Sequence, residues 1–158
     1  MTLTHHLTEE LERAGIDYDV ITHRRTERAT DEARAIGVRP DKVAKTVVLA
    51  TGDRYVRAVI PASEQLDLHK TRDILGDKHA RLASEAELAL AYPMYELGAV
   101  PPFGIPAGDR VLLDRQLAQQ DSVVLEAGSH NQSFRPRTAD LVTLAGAKVE
   151  SIGADGSS

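Results

Sequence analysis

Cysteine and tryptophan are both missing from the 158 residues, and phenylalanine occurs only twice. Without cysteine there can be no disulfide and no thiolate-ligated metal. No apolar run approaches the roughly 20 residues of a membrane span. The N-terminal stretch MTLTHHLTEELERAG carries acids early and has no apolar centre, so no signal peptide is expected and a cytoplasmic location is. Positive charge is not in excess either. A formal net charge of -5 argues against general, sequence-blind nucleic-acid binding. Several motifs are lacking. There is no H-E-x-x-H, no Walker loop, no G-x-G-x-x-G and no G-x-S-x-G elbow. The six histidines do not fall at metal-ligand spacing. Neither a metal nor an organic cofactor is expected.

What remains is ordinary for a globular domain: 42% hydrophobic and 27% charged residues. The length suits one domain, taken as residues 1–152, with GADGSS at 153–158 as a disordered tail. The charge is unevenly spread. Lys42 to Arg81 holds eight basic residues against five acidic ones, a net of +3, leaving -8 for the rest. Such a region can guide one anionic partner or be a solvated face.

Leu3, Leu7, Leu11 and Ala14 at helical spacing before Gly15 predict a helix over Thr4–Ala14. YDVIT at Tyr18–Thr22 reads as a strand. Thr30 and Asp31 offer caps for a short helix ending at Gly37. Val43–Ala50 and Tyr55–Pro61, joined by the turn signal TGDR, predict an antiparallel hairpin. Ala62–Gln65 reads as a loop, and Leu66, Leu68, Ile74 and Leu75 as a helix closed by Gly76. A short strand follows at Ala80–Ala83. Ser84 and Glu87 form an S-x-x-E capping box for a helix over Glu85–Ala91. Strands are expected at Arg110–Asp114 and Ser122–Glu126, a last strand or extended arm at Lys148–Ile152, and helical segments at Arg115–Gln119 and Thr138–Ala145. Short strands, partly consecutive, with single helices between them, predict an α+β domain.

Three stretches could carry chemistry. Period-two counting puts Lys45 on one strand face with Val43, Val47 and Leu49. A lysine there either snorkels to water or sits at a cavity mouth where it meets an anion. The second stretch is GAVPPFGIPAG, Gly98–Gly108, with three glycines and three prolines. It is a stiff turn, or a loop whose fixed N–H groups hold an oxyanion or a carboxylate. Phe103 is its wall or its anchor. The third is the polar loop AGSHNQS, Ala127–Ser133. Gly128, Ser129, His130 and Asn131 could donate into a pocket, although neighbours in sequence rarely form a Ser-His triad.

The ordered set of landmarks resembles the YbaK/prolyl-tRNA-synthetase-associated domain family. These are ATDEARAIG, VAKTVVL with Lys45, VRAVIPAS, LDLHKTRDILG, the helix ending near Tyr92-Pro93, the Gly98/Pro102/Gly104 loop, VVLEAGSHNQSFR and TADLVTLAG. The likeness runs from about Leu11 to Ile152. It implies a mixed, strongly bent β-sheet surrounded by helices, with a pocket between sheet and loops. It implies a trans-acting hydrolase that deacylates mischarged tRNA, with the acceptor 3′ end as ligand and a synthetase as a further partner. The expected tRNA is tRNA(Pro) carrying a small non-cognate amino acid.

On this resemblance Lys45 holds the terminal phosphate or the ester, and Gly98 to Gly104 position the carbonyl. The substrate's own ribose hydroxyl would assist proton transfer. Val47, Leu49, Ile60, Pro102 and Phe103 are expected around the amino acid, with Gly128, Ser129, His130 and Asn131 nearby. The loop AGSHN matches neither the Cys-tRNA nor the Ala-tRNA branch clearly, so the amino acid stays open. Two other readings stand beside this one. The same fold could bind aminoacyl-tRNA or a synthetase without catalysis, or Ser129 and His130 could serve a small-molecule hydrolase.

Overall fold

A computed structural model describes residues 3–52 and 54–155. The elements, in order, are α1 (Leu3–Arg13), β1 (Tyr18–Thr22), α2 (Ala29–Ile36), a 3-10 turn (Pro40–Lys42), β2 (Ala44–Ala50), β3 (Tyr55–Pro61), β4 (Glu64–Leu66) and α3 (Leu68–Leu75). They continue with β5 (Arg81–Leu82), α4 (Glu85–Ala91), β6 (Arg110–Asp114), α5 (Arg115–Ala118), β7 (Leu125–Glu126), β8 (Gln132–Pro136), α6 (Thr138–Ala145), β9 (Lys148–Glu150) and β10 (Gly153–Asp155). Among the described residues no helix is long and apolar enough to cross a membrane.

The expected α+β architecture is the one observed. Its strands form a five-stranded mixed sheet in the order β5-β2-β3-β6-β9, a three-stranded sheet β1-β8-β7 and a two-stranded pair β10-β4. The hairpin β2–β3 is antiparallel, with Lys45 opposite Ile60, while β6 and β9 add in parallel. Alternation sorts the large sheet into two faces. Ala44, Val48, Val59, Val111 and Leu113 face a core shared with α1, Tyr92, Phe103 and Phe134. Leu49, Val56, Ala58, Ile60 and Leu112 face a second core, covered by Leu68, Ile74 and Leu75 of α3.

Helix ends follow local chemistry. The Asp67 side chain accepts from Lys70 N at the start of α3, and Gly76 closes that helix in the left-handed region. The Ser84/Glu87 capping box forms as expected at α4. The second helix starts at Ala29 behind Arg28, which makes no side-chain cap, so Thr30 and Asp31 lie inside its first turn rather than before it.

Three expectations are corrected. The strand read over Ser122–Glu126 is broken, because Val124 turns to the start of β2 instead of to β8. Its carbonyl accepts from Ala44 N at 2.7 Å and its N–H donates to Lys42 O at 2.9 Å. The loop read at Ala62–Gln65 contains β4. The tail read from Gly153 is ordered over Gly153–Asp155, paired with Leu66, Gln65 and Glu64, while 156–158 lie outside the described residues. Asp114 makes that pairing possible: its Oδ1 accepts from Ile152 N at 2.9 Å and Gly153 N at 2.8 Å. These strands lack apolar alternation, so only backbone partners define them.

Candidate active site

A parallel bridge between Val43 and Val124 joins the large sheet to the three-stranded one. Two residues beyond each bridge partner stand Lys45 and Glu126. The period of two therefore sends both side chains to the same side of the junction. Together they line a cavity of about 300 Å³. Glu27, Arg28, Ala29 and Thr30, leading into α2, form another wall, and Ala44, Thr46, Ala62, Gly98 and Val100 complete it. Small residues dominate the apolar lining, so the space suits a short side chain.

Lys45 is half-buried, and burial lowers its pKa while the Glu64 carboxylate opposes that shift. Glu126 lines the same cavity. Burial first, then the nearby Glu32, Glu96 and Glu27 carboxylates, push its pKa up to about 9, with Arg25 working against them. Its Oε2 is 3.0 Å from His130 Nδ1. The other ring nitrogen, Nε2, is 2.7 Å from the carbonyl oxygen of Leu97. A carbonyl only accepts, so Nε2 carries the hydrogen and Nδ1 of the neutral ring is an acceptor. His130 is 2% exposed and stands behind Glu126, not on the cavity wall.

Around His130 the polar loop and the glycine loop are tied together. His130 N donates to Glu96 Oε2 at 2.7 Å, Glu96 N to Gly128 O at 3.0 Å, and Arg25 Nη1 to Glu96 Oε1 at 3.1 Å. Gly98 has φ +84°, and a Cβ there would stand 3.6 Å from His130 Cε1. Ala99 N is already donated to Glu96 O.

A second buried carboxyl lies beyond the first. Ser133 Oγ contacts Glu32 and, at 2.8 Å, His23 Nε2, while His23 Nδ1 is 2.7 Å from Arg24 O. Burial raises Glu32 to about 7, against the hydrogen bond from Ser133. Among the described residues no three His, Cys, Asp or Glu side chains converge so as to hold a metal ion.

The other residues singled out in the sequence lie elsewhere. Val47, Leu49 and Ile60 belong to the core under α3. Pro102, Phe103 and Gly104 line a separate recess of about 150 Å³ with Arg57. Ser129 and Asn131 bond to each other, Oγ to Oδ1 at 2.9 Å, while the ring nitrogens of His130 approach Leu97 O and Glu126 Oε2 instead of Ser129.

The loop after Gly98 is rigid for a reason invisible in its own composition. Arg57 of β3 is 1% exposed, and its guanidinium donates to four loop carbonyls and one carboxylate. Nη1 reaches Pro101 O and Phe103 O at 2.8 Å; Nη2 reaches Gly104 O at 3.2 Å and Pro106 O at 3.1 Å; Nε reaches Asp109 Oδ2 at 3.0 Å. The Tyr92 ring lies 5.3 Å from the guanidinium carbon, and its hydroxyl donates to the same Asp109 oxygen at 2.6 Å. Gly104 is a packing position: with φ +92°, a Cβ there would stand 2.8 Å from both Leu7 Cδ2 and the Tyr95 hydroxyl.

Sequence reasoning passed over Glu126, Glu27, Arg28 and Arg57. One signal for Glu126 was present, a single acid ending an otherwise apolar strand before a glycine loop.

Residues 23–144 match the family described as the aminoacyl-tRNA editing domain. A relative from Escherichia coli K12, the multifunctional Ser/Thr-tRNA deacylase ProXp-y, is 28% identical over 141 residues, 85% of this chain and 83% of its own. A proposed trans-editing enzyme for prolyl-tRNA synthetase superimposes with a TM-score of 0.87 at 23% identity, over 98% of both chains. A hypothetical protein gives 0.86 at 23% identity, over 94% of this chain and 99% of its own. At that identity these two structures establish the fold alone. The chain belongs to the aminoacyl-tRNA editing domain family, and with it to the hydrolases that deacylate tRNA.

Proposed function

We propose that this protein acts in trans, hydrolysing the ester between a small non-cognate amino acid and the 3′ end of a tRNA. The observation that carries this reading is the cavity itself. Its lining brings Lys45, small side chains and the buried carboxyl of Glu126 together around about 300 Å³, which supports this reading. An aminoacyl ester is already activated, so the site must hold the ester, admit water and limit the side chain. Lys45 binds the terminal phosphate or the ester oxygen, at reduced solvent screening because it is half-buried. The cavity's small lining supports alanine, serine or threonine as the group removed. The E. coli relative's name supports the two hydroxyl amino acids. tRNA(Pro) is the expected carrier for the mischarged residue.

The test is a deacylation panel: tRNA(Pro) charged with Ala, Cys, Ser, Thr or Pro, and tRNA(Ser) and tRNA(Thr) with their own amino acids. The native protein should release at least one small amino acid. Lys45→Ala should lose about 100-fold or more, the scale of removing one oxyanion-type donor. Release from none of the substrates refutes the reading, and so does an unimpaired Lys45→Ala.

A further inference from the structure

We infer that the carboxyl of Glu126 binds the α-amino group of the aminoacyl ester, so that the cavity selects esters whose amine is free. This rests on the deacylase reading of the same cavity.

Glu126 is a polar group that the protein buries and does not satisfy. It lines the cavity with 11% of its side chain exposed. Its Oε2 has no hydrogen-bond partner, and neither has His130 Nδ1, 3.0 Å away. A carboxyl buried in this state costs stability, a cost that an apolar side chain would avoid. Oε1 is left to meet what enters the cavity. Glu32, the other buried carboxyl of this region, is turned away onto Ser133.

The surrounding charges select the partner. Glu32, Glu96 and Glu27 all act on Glu126 and make this part of the cavity negative, with Arg25 opposing them. Arg25 is itself paired with Glu27 and Glu96. The carboxylate that acts on the Lys45 ammonium is Glu64, so Lys45 and Glu126 do not neutralise each other. The cavity thus offers a cation at Lys45, an acidic group at Glu126 and a small apolar lining at Ala29, Ala44, Ala62 and Val100. An aminoacyl ester carries the complementary set on one carbon: the ester, the amine and the side chain. The amine sits one bond from the carbon that bears the acyl group, so an ester held at Lys45 brings its amine into the same space. The contact forms in either protonation state. A neutral carboxyl donates its O–H to a neutral amine, and a carboxylate accepts from an ammonium; one proton lies between oxygen and nitrogen in both. The α-amine, with a pKa near 8, supplies both forms close to neutral pH. An acylated amine has no charge and brings extra bulk into about 300 Å³, so esters of N-acylated amino acids are excluded.

The experiment gives the whole protein two substrates: the charged tRNA that it hydrolyses, and the same tRNA acylated with the α-hydroxy acid of the same side chain. Each kcat/KM is divided by the uncatalysed hydrolysis rate of its substrate. The native protein should prefer the amine by about 10- to 100-fold. In Glu126→Gln the two values should come within about threefold of each other, because the amide keeps the shape and loses the ionisable group. A native protein without the preference, or a Glu126→Gln variant that retains it, overturns the amine site and leaves the deacylase reading standing. A variant that retains it and loses serine relative to alanine assigns the carboxyl to the side-chain hydroxyl instead, which also overturns the amine site. A native protein inactive on every charged tRNA overturns the deacylase reading, and the amine site with it. A second measurement needs no variant. In calorimetry, the native protein should bind 3′-alanylamino-3′-deoxyadenosine about tenfold or more tighter than the lactoylamino counterpart; equal affinities, or binding of neither, overturn the proposal.

Discussion

Replacing Arg57 by lysine tests the origin of the rigid loop. All five N–H groups of the guanidinium have partners, four backbone carbonyls and Asp109. A lysine ammonium offers three donors from one point and cannot span carbonyls arranged for a planar fork. At least two buried acceptors then lose their partner. Each hydrogen bond to a charged group is worth about 1.5–3 kcal/mol, and breaking one side of a buried ion pair costs about 3–5 kcal/mol. Some of this returns as the lysine re-pairs with Asp109, so about 3–4 kcal/mol is the expected net loss. With a urea slope of about 2 kcal/mol/M, the unfolding midpoint should fall by about 1.5–2 M. For a domain stabilised by about 5–15 kcal/mol the variant still folds, which allows a second reading on the same sample. Deacylation should drop as well, because the segment from Gly98 onward loses its anchor. A midpoint shift under about 0.5 M would refute the reasoning, since it would mean that the carbonyls find other donors at little cost.

Stability should also fall as pH rises from about 5 to about 9. Glu32 and Glu126 have folded pKa values of about 7 and about 9, above that of an unfolded glutamate. The folded protein thus binds more protons than the unfolded chain across this window, and the slope of unfolding free energy with pH is negative. The stabilisation is complete below the unfolded pKa, near 4.5, and is lost as pH passes through the folded values. Urea midpoints at pH 5.5, 7 and 8.5 should descend, more shallowly in Glu126→Gln; a flat or rising series counts against buried neutral carboxyls. Gly104→Ala should destabilise by about 2–3 kcal/mol through the clash with Leu7 and Tyr95. Gly98→Ala meets only an ordinary contact and should cost about 1–2 kcal/mol from its left-handed backbone. Equal melting temperatures for the two variants would contradict this contrast.

The hairpin, the capping box at Ser84 and the helix stops at Gly37 and Gly76 were legible because each depends on neighbours in sequence. Lys45 was legible as an exception to its apolar strand face. Glu126 was not, because its environment is made by Glu27, Glu32, Glu96 and His130, which come together from separate stretches of the chain. Arg57 was passed over within the strand read at Tyr55–Pro61, and nothing local shows that four carbonyls more than forty positions away would enclose it. Val47, Leu49 and Ile60 were expected at the pocket because they share the face of Lys45. The face is right, but α3 covers it beyond the first residues of the strand. The interruption at Val124 and the pairing of β4 with β10 depend on backbone partners, which composition does not encode.

The pairing of β10 with β4 has a consequence for how the protein comes into being. Glu64, the carboxylate that opposes the lowering of the Lys45 pKa, lies against Gly153, where even a methyl group would collide with its Oε2. The lysine's electrostatic setting is therefore finished by residues made more than a hundred positions after it. A nascent chain can build the β2–β3 hairpin early, since its contacts are local. The lysine's surroundings are complete only after Gly153–Asp155 leave the ribosome and close on β4.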